Sequence, residues 1–308
     1  MNCAGLTHVH IGKQVQRIGM EAFRGCTGLT SVHLGEGVTH LGRSAFRQCT
    51  ALASLTFNEA LTSIGNSAFD GCSALTTIVI PDGVIEIENF AFSNCTGLTH
   101  VHIGENVEII GFGAFRGCVA LTSIVIPDSV SMIDGEVFKG CSSLISVHLG
   151  TGFTSMGNSI FRDCSALTSI TIPCSVSHIG RSAFYGCTAL TQVMFLGSQP
   201  TSGGLGFFWQ ADPIVYYRFA FKDSWDATFE GQPTAIWPQI GPMIEQTSGI
   251  RFPVYASEGE TITIQARPSL VSGEWETIAV ETIPAGHVLE FADPDQENYT
   301  ERFYRLLL

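Results

Sequence analysis

The chain has 308 residues, of which 45% are hydrophobic and 14% are charged, and its formal net charge is −13. Nucleic-acid-binding domains need a basic surface, so this acidic composition argues against that class of protein. No apolar run reaches the ~18 residues of a membrane-spanning helix, so no transmembrane segment is expected. The length is ample for a buried core, and an acidic surface with few charges suits a secreted protein.

From the N-terminus to residue 196, one unit of 23 residues repeats without an insertion. Cysteine, leucine and phenylalanine each recur at this interval. The cysteines of the register are Cys3, Cys26, Cys49, Cys72, Cys95, Cys118, Cys141, Cys164 and Cys187. A fixed period of 20–50 residues indicates a solenoid, a propeller or a linear array.

The apolar spacing within a unit predicts a short strand that is followed by turns. In the unit Gly71–Ser93, Leu75, Ile78 and Ile80 have the spacing of inward-facing strand residues. A buried apolar side chain stabilises by roughly 1.5–3 kcal/mol, but ordering each backbone residue costs about 1–2 kcal/mol. One unit alone is therefore marginal, and stability requires that many units stack.

The repeated core L-x-x-I-x-I-P/G…V-x-x-I-G…A-F-x-G-C resembles the leucine-rich repeats of BspA-like surface proteins of bacteria and protists. The resemblance covers residues 1–196. It implies a β-rich solenoid, a right-handed superhelix with one parallel sheet and short turns or 3-10/helical bends. It also implies extracellular or cell-surface display and a role in adhesion or in binding host proteins.

The chain begins in the middle of a repeat, as Met1-Asn2-Cys3. A bare first unit would expose its apolar end. We therefore expect an N-terminally truncated array or a misassigned start, and the lack of a visible signal peptide then says nothing about export.

The cysteines of the register precede a core leucine, so we expect them to be buried free thiols. Disulfide bonds along the row are the alternative. Cys174 lies outside this register, in the turn after a strand, and is expected to be more exposed and more reactive.

The residue between two inward-facing strand positions points outward, and these residues form one row along the predicted sheet. We assign seven of them as candidate ligand-binding residues: His33, Thr56, Val79, His102, Val125, His148 and Thr171. In solenoids the sheet face is concave and usually binds the ligand. The histidines are interpreted as solvated side chains, and neither a metal site nor a cofactor is predicted.

Two rows of charge flank the predicted sheet. The acidic row is Glu36, Glu59, Asp82, Glu105 and Asp128, and the basic row is Arg24, Arg47, Arg116, Lys139 and Arg162. Both are interpreted as solvated edges. The alternatives are electrostatic steering of a partner and weak divalent-cation binding by the acidic row.

Residues 197–241 break the period and are rich in aromatic residues. They are similar to the segment that ends repeat arrays of this family, so we predict a cap on the last repeat. A sugar-binding platform is the alternative, since Trp209, Trp225 and Trp237 offer aromatic faces, as does Trp275 further on.

Residues 242–308 contain four or five short strand patterns, which predict a small antiparallel β-sandwich. The ending F-x-D-P…R-F-Y-R-L resembles C-terminal β modules of secreted proteins from Verrucomicrobia-like bacteria. It is carried by Phe291, Asp293, Pro294 and Arg302–Leu306. A calcium site at Asp293-x-Asp295-x-Glu297 is an alternative that lacks the full EF-hand pattern.

No catalytic motif is present in the sequence, and no enzyme activity is expected. Our first hypothesis is a secreted or cell-surface protein that binds a protein partner, such as a host or matrix protein, through the sheet face. The second is a glycan-binding protein that uses the aromatic residues of the cap or the C-terminal module. The third is the non-catalytic part of a larger secreted protein.

Overall fold

A computed structural model describes residues 3–204, 206–240, 244–246, 249–257, 259–267, 274–284, 288–292 and 303–307. The chain divides into two compact units, each described by itself below. We call Met1–Ile214 with Glu230–Gln232 the solenoid unit, and Val215–Phe229 with Pro233–Leu308 the C-terminal unit.

Each repeat of the solenoid unit contributes one strand of three or four residues to what we call the long-strand face. These strands are His8–His10, Ser31–His33, Ser54–Thr56, Thr77–Val79, His100–His102, Ser123–Val125, Ser146–His148, Ser169–Ile172 and Gln192–Phe195. Paired neighbours are parallel and in register, so Val9 lies opposite Val32 and Ile170 opposite Val193. The middle residue faces the core, because strand side chains alternate between the two faces.

A second parallel sheet of two-residue strands runs along the solenoid unit, and we call it the short-strand face. Its strands are Arg17–Ile18, His40–Leu41, Ser63–Ile64, Glu86–Ile87, Ile109–Ile110, Met132–Ile133, Ser155–Met156, His178–Ile179 and Thr201–Ser202. They form one continuous sheet in chain order. The predicted parallel-sheet solenoid is therefore confirmed, and it has a second parallel sheet beyond the one that the resemblance implies, because each unit turns back and pairs with its neighbours a second time.

The recurring phenylalanines form a continuous stack through the core. From Phe23 to Phe184, each ring is nearly parallel to the next, with centroids 5.2–5.9 Å apart. Such pairs contribute about 0.5–1.5 kcal/mol beyond the burial of their area. The stack ties each unit to both neighbours, which is how the array compensates for the marginal stability of one unit.

The bend that carries the phenylalanine contains two left-handed residues, four positions apart. In the fifth unit they are Gly113 and Gly117, with φ of 61° and 72°. In the fourth unit the same positions hold Phe90 and Asn94, with φ of 57° and 56°. Glycine adopts this conformation without strain and asparagine tolerates it, whereas a bulky residue such as phenylalanine is an outlier there.

The cysteines of the register from Cys26 to Cys187 are buried and free, which confirms the prediction of buried thiols. From Cys49 onward, each thiol donates a hydrogen bond to the carbonyl oxygen of the phenylalanine 26 residues earlier in the chain, with S···O distances of 3.0–3.3 Å. The thiol therefore satisfies a buried backbone acceptor as well as filling space.

The prediction was wrong for Cys3, which is exposed. It lies in the first repeat, and in the described residues no earlier repeat packs against it. Cys174 is exposed as expected, because it lies in the turn that follows the strand Ser169–Ile172.

The repeat geometry continues beyond residue 196, where the sequence period weakens. Thr201–Ser202 pairs in parallel with His178–Ile179. The backbone N–H of Gly186 donates to the carbonyl of Trp209 at 2.8 Å, which repeats the bond pattern of earlier bends. Phe208 stacks on Phe184 with centroids 5.6 Å apart. This stretch of the predicted cap thus completes another turn of the solenoid.

The C-terminal unit contains a 3-10 helix, three short strands that accompany it, and two antiparallel sheets. The 3-10 helix is Phe219–Ser224. The strand Ile214–Tyr217, which starts in the solenoid unit, pairs in parallel with the strand Gln232–Ile236. The strand Thr228–Phe229 belongs to the same sheet. One antiparallel sheet contains Gln239–Ile240, Ile244–Gln246, Gly249–Tyr255 and Val288–Ala292. The other contains Thr261–Arg267, Glu276–Thr282 and Phe303–Leu307.

Both antiparallel sheets contribute to one core. Val254 and Phe291 from the first sheet and Ile262 and Ile264 from the second are buried in the same cluster. The two antiparallel sheets therefore share one apolar core. The residues of the calcium alternative, Asp293, Asp295 and Glu297, lie outside the described residues, as do Pro294 and Arg302.

Candidate binding face

All seven predicted ligand-binding residues are exposed on the long-strand face and occupy one row. His33 lies opposite Thr56, Val79 opposite His102, and Val125 opposite His148. Thr171 lies opposite Met194 at the end of the row. Neighbouring strands are ~4.8 Å apart, so the row is ~38 Å long from the first strand to the ninth.

The outward positions of the long-strand face contain no fully charged residue type. They are His8, His10, Ser31, His33, Ser54, Thr56, Thr77, Val79, His100, His102, Ser123, Val125, Ser146, His148, Ser169, Thr171, Gln192 and Met194. None of these is Asp, Glu, Lys or Arg, whereas exposed positions elsewhere in the repeats carry both signs. Depletion of charged residues marks the centre of protein–protein interfaces.

Two valines form exposed apolar points on this face. Val79 is 63% exposed and Val125 is 60% exposed. Each pairs with a histidine on one neighbouring strand, His102 and His148 respectively. Because complete burial of a valine contributes at least ~1.5 kcal/mol, a partner that covers both gains a substantial part of its binding free energy from them.

The histidines are concentrated at the first strands of the face. The rings of His10 and His33 are stacked, with centroids 4.7 Å apart and planes 6° from parallel. With His8 they line a shallow recess of about 450 Å³, together with Thr56 and nearby serines. In the described part of the chain, no group of three or more His, Cys, Asp or Glu residues is arranged to hold a metal ion.

Two residues of the acidic row, Asp82 and Asp128, hydrogen-bond to the next unit instead of being only solvated. Oδ1 of Asp82 accepts the backbone N–H of Glu105 at 2.8 Å, and Oδ1 of Asp128 accepts the backbone N–H of Thr151 at 2.8 Å. The hydrogen bonds from Thr151 hold the pKa of Asp128 below its usual value. These two carboxylates tie successive turns to each other beside the face.

Much of the basic row is paired with carboxylates. Nε of Arg47 is 2.9 Å from Oδ2 of Asp70. Nη1 of Arg116 and Nζ of Lys139 lie 2.8 and 2.9 Å from the two carboxylate oxygens of Glu136. The interpretation of this row as a solvated edge was therefore incomplete, because its side chains form ion pairs with carboxylates of the same bends.

The four tryptophans of the glycan hypothesis differ in their exposure. Trp209 is 60% exposed. In the C-terminal unit, Trp225 is buried and stacks on Tyr217 with centroids 5.3 Å apart, and Trp237 packs edge-on against Tyr216.

Trp275 lies under the guanidinium of Arg305, at 4.4 Å from the ring centroid. The rings of Trp225, Trp237 and Trp275 thus each pack against another side chain of the protein.

Stacked 23-residue turns with a parallel strand face define a leucine-rich repeat solenoid. The family model for the BspA type leucine rich repeat region matches residues 1–122 and 108–219, with six copies. The chain belongs to this family. None of the curated proteins compared with the sequence matches it.

Solved structures of bacterial leucine-rich repeat proteins are similar to this chain. A protein from Bacteroides ovatus is 26% identical, with a TM-score of 0.52, over 68% of this chain and 63% of that one. The match thus covers less than two thirds of the Bacteroides protein.

A leucine-rich repeat protein of T. pallidum is 26% identical, with a TM-score of 0.40, over 71% of this chain and 81% of that one. A leucine rich cell surface protein of Faecalibacterium prausnitzii is 23% identical, with a TM-score of 0.34, over 73% and 83%. Among the described residues of this chain, no helix has the length and apolarity that crossing a membrane requires.

Proposed function

We propose that the protein is a non-enzymatic, extracellular or cell-surface binding protein that holds another protein on its long-strand face. The observation that carries this proposal is the uncharged, exposed strand surface with Val79 and Val125 at its centre. A surface of this composition has few charged groups to desolvate, so covering it with a partner costs little free energy. Membership of the BspA type family supports both the location and the kind of partner.

The size of the face defines what else the partner covers. A three-residue strand is ~10 Å long, so the face offers ~400 Å² over its ~38 Å length. A stable complex buries ~800 Å² on each partner. The partner therefore extends over the flanking acidic row, Glu36, Glu59, Asp82, Glu105 and Asp128. The partner's contact surface therefore has an uncharged centre and a basic rim. Because the basic rim is attracted to the acidic row, association is faster at low salt.

A solid-phase binding assay with matched variants tests the proposal. The purified chain is titrated onto immobilised fibronectin, laminin, collagen and fibrinogen at physiological salt. The variant that changes His102, Val125 and His148 to Asp places three charges on the face. We expect saturable binding by the native chain and a loss of tenfold or more in the variant, because the partner must desolvate those carboxylates.

The control variant changes Ser131, Met132 and Ser155 to Asp on the exposed side of the short-strand face. It adds the same charge to the same solenoid, and we expect its affinity to stay within twofold of the native value. Equal losses in both variants, unchanged binding in both, or no binding of the native chain to any of the four proteins would contradict the proposal.

A further inference from the structure

A polar recess lies on the bend side of the solenoid unit, away from the long-strand face. Its volume is about 290 Å³, close to the lower limit of ~300 Å³ for small-molecule pockets. It is lined by Arg47, Asp70, Phe90, Asn94 and Arg116, together with two serines. These side chains come from the second to the fifth repeat, so the recess spans several turns of the solenoid.

The recess exists because the basic row is interrupted at this place. The residue after each core phenylalanine is Arg47 in the second unit and Arg116 in the fifth. The two units between them carry Asp70 and Ser93, which are shorter. Space therefore opens between the two arginines, and the polar ends of their neighbours line it.

Phe90 occupies a backbone position that disfavours it. Its φ is 57°, in the left-handed region. The other described units hold Glu, Ser or Gly at the equivalent position. A strained bulky residue persists where the surrounding structure holds it, and such residues are enriched at ligand sites. Phe90 lies in the wall of the recess, and its ring packs edge-on against Phe112 with centroids 5.4 Å apart.

The next unit leaves space for the two unusual side chains. A Cβ on Gly113 would lie 2.7 Å from Cε1 of Phe90, and a Cβ on Gly117 would lie 2.8 Å from Oδ1 of Asn94. Both distances are too short for a real contact, so a side chain at either position would displace its neighbour. The two glycines therefore form a cradle that keeps Phe90 and Asn94 in place.

Each charged group of the recess faces a group of opposite charge. Oδ1 of Asp70 accepts a hydrogen bond from Nδ2 of Asn94 at 3.0 Å, and its Oδ2 faces Nε of Arg47 at 2.9 Å. Arg116 is held by Glu136 at 2.8 Å. Because each guanidinium already faces a carboxylate, the recess suits a neutral ligand with several hydroxyl groups better than an anion.

We propose that this recess binds one neutral sugar residue of a glycan, at a site separate from the protein-binding face. The apolar face of the sugar ring packs against Phe90, as aromatic rings accept flat apolar surfaces. Its hydroxyl groups donate to the carboxylate of Asp70 and to the amide oxygen of Asn94, and they accept from the guanidinium of Arg116. The site does not use any of the four tryptophans.

Saturation-transfer NMR with the purified chain tests this proposal. The probes are the methyl glycosides of glucose, galactose, mannose, fucose and N-acetylglucosamine at millimolar concentrations, and sodium sulfate is the competitor. We expect transfer to the ring protons of at least one glycoside, which sulfate leaves unchanged. Absence of transfer to all five, or displacement of the sugar by sulfate, would overturn the proposal.

The decisive variant is Phe90→Gly, which removes the ring and suits the left-handed backbone. We expect it to weaken sugar binding at least tenfold while the chain still unfolds in one cooperative transition, because glycine relieves the backbone strain even though the contact with Phe112 is lost. Ser159→Gly makes the same backbone change at the equivalent position of the seventh unit and should leave binding unchanged. Native affinity in Phe90→Gly would overturn the proposal even if the chain binds sugar elsewhere.

Discussion

Raising the pH from 8 to 10 will lower the free energy of unfolding of the solenoid unit by about 4 kcal/mol through three buried thiols alone, at about 1.4 kcal/mol for each thiol and pH unit above the unfolded pKa of 9.0. Burial raises the pKa of Cys49, Cys141 and Cys187 to about 12. Burial also raises the pKa values of the remaining thiols of this group well above the usual value of 9.0. These thiols are Cys72, Cys95, Cys118 and Cys164.

The sign of the effect follows from proton binding. In the unfolded chain the thiols ionise near 9.0, whereas in the folded chain the pKa is about 12 for Cys49, Cys141 and Cys187 and well above 9.0 for the other four thiols. Above pH 9 the unfolded state therefore binds fewer protons, so this part of the stability is fully present below pH 9 and is lost as the pH rises. Because folded domains have only about 5–15 kcal/mol of stability, the loss removes a large part of the stability of the array by pH 10.

Urea unfolding followed by circular dichroism at pH 8, 9 and 10, with a reductant present, measures this effect. The control is the double variant Cys118→Ala/Cys141→Ala, which removes two of the titrating groups. Its pH slope should be smaller than the native slope by about 2.7 kcal/mol per pH unit. An unfolding free energy that does not change between pH 8 and 10 would show that the thiols are not held protonated by the fold.

Replacing the central stacked ring, Phe115→Ala, should destabilise the solenoid unit by about 3–5 kcal/mol, the usual cost of removing a fully buried phenylalanine. Phe115 is fully buried and stacks on Phe92 at 5.5 Å and on Phe138 at 5.9 Å. The variant therefore leaves a cavity and breaks the stack on both sides. Neighbouring units can then separate at this point, because each unit depends on contacts with the next.

Phe23→Ala is the matched control for the central ring. Phe23 is partly exposed and stacks on Phe46 at 5.2 Å, with no earlier ring on its other side among the described residues. We expect a clearly smaller loss of stability in urea unfolding. Equal losses in both variants would mean that the stack does not couple the units, and that each ring contributes only through its own repeat.

The alternation of apolar residues was sufficient to predict the long-strand face. Ile78 and Val79 are neighbours in the chain, but the first is buried and the second is 63% exposed. Period-2 geometry produces this difference directly, so the outward row could be assigned from the sequence. The burial of the cysteines follows in the same way from their fixed distance to a core leucine.

Other features depend on backbone geometry that the repeat pattern does not reveal. A two-residue strand such as Arg17–Ile18 is too short to show alternation, so the short-strand face had no sequence signal. The left-handed positions hold Glu, Ser, Phe and Asn as well as Gly, so composition does not mark them. Phe207, which lies 23 residues after Phe184, is the signal that the array continues past residue 196.

The recess at Phe90 had a sequence signal that became meaningful only in the structure. Asp70 and Ser93 interrupt the basic row, which reads as ordinary variation along a repeat. Only the left-handed φ of Phe90 and the close approach of Gly113 show that the bend is built around an unusual side chain.

Site-specific photo-crosslinking tests most directly whether the long-strand face is the protein-binding surface. A benzophenone amino acid is placed at Val125 on that face or at Met132 on the short-strand face; the two side chains are 60% and 56% exposed. Each chain is irradiated with the matrix protein it binds in the solid-phase assay. We predict a crosslinked product from position 125 and none from position 132. A product from position 132 alone, or from neither position while binding persists, would contradict the assignment.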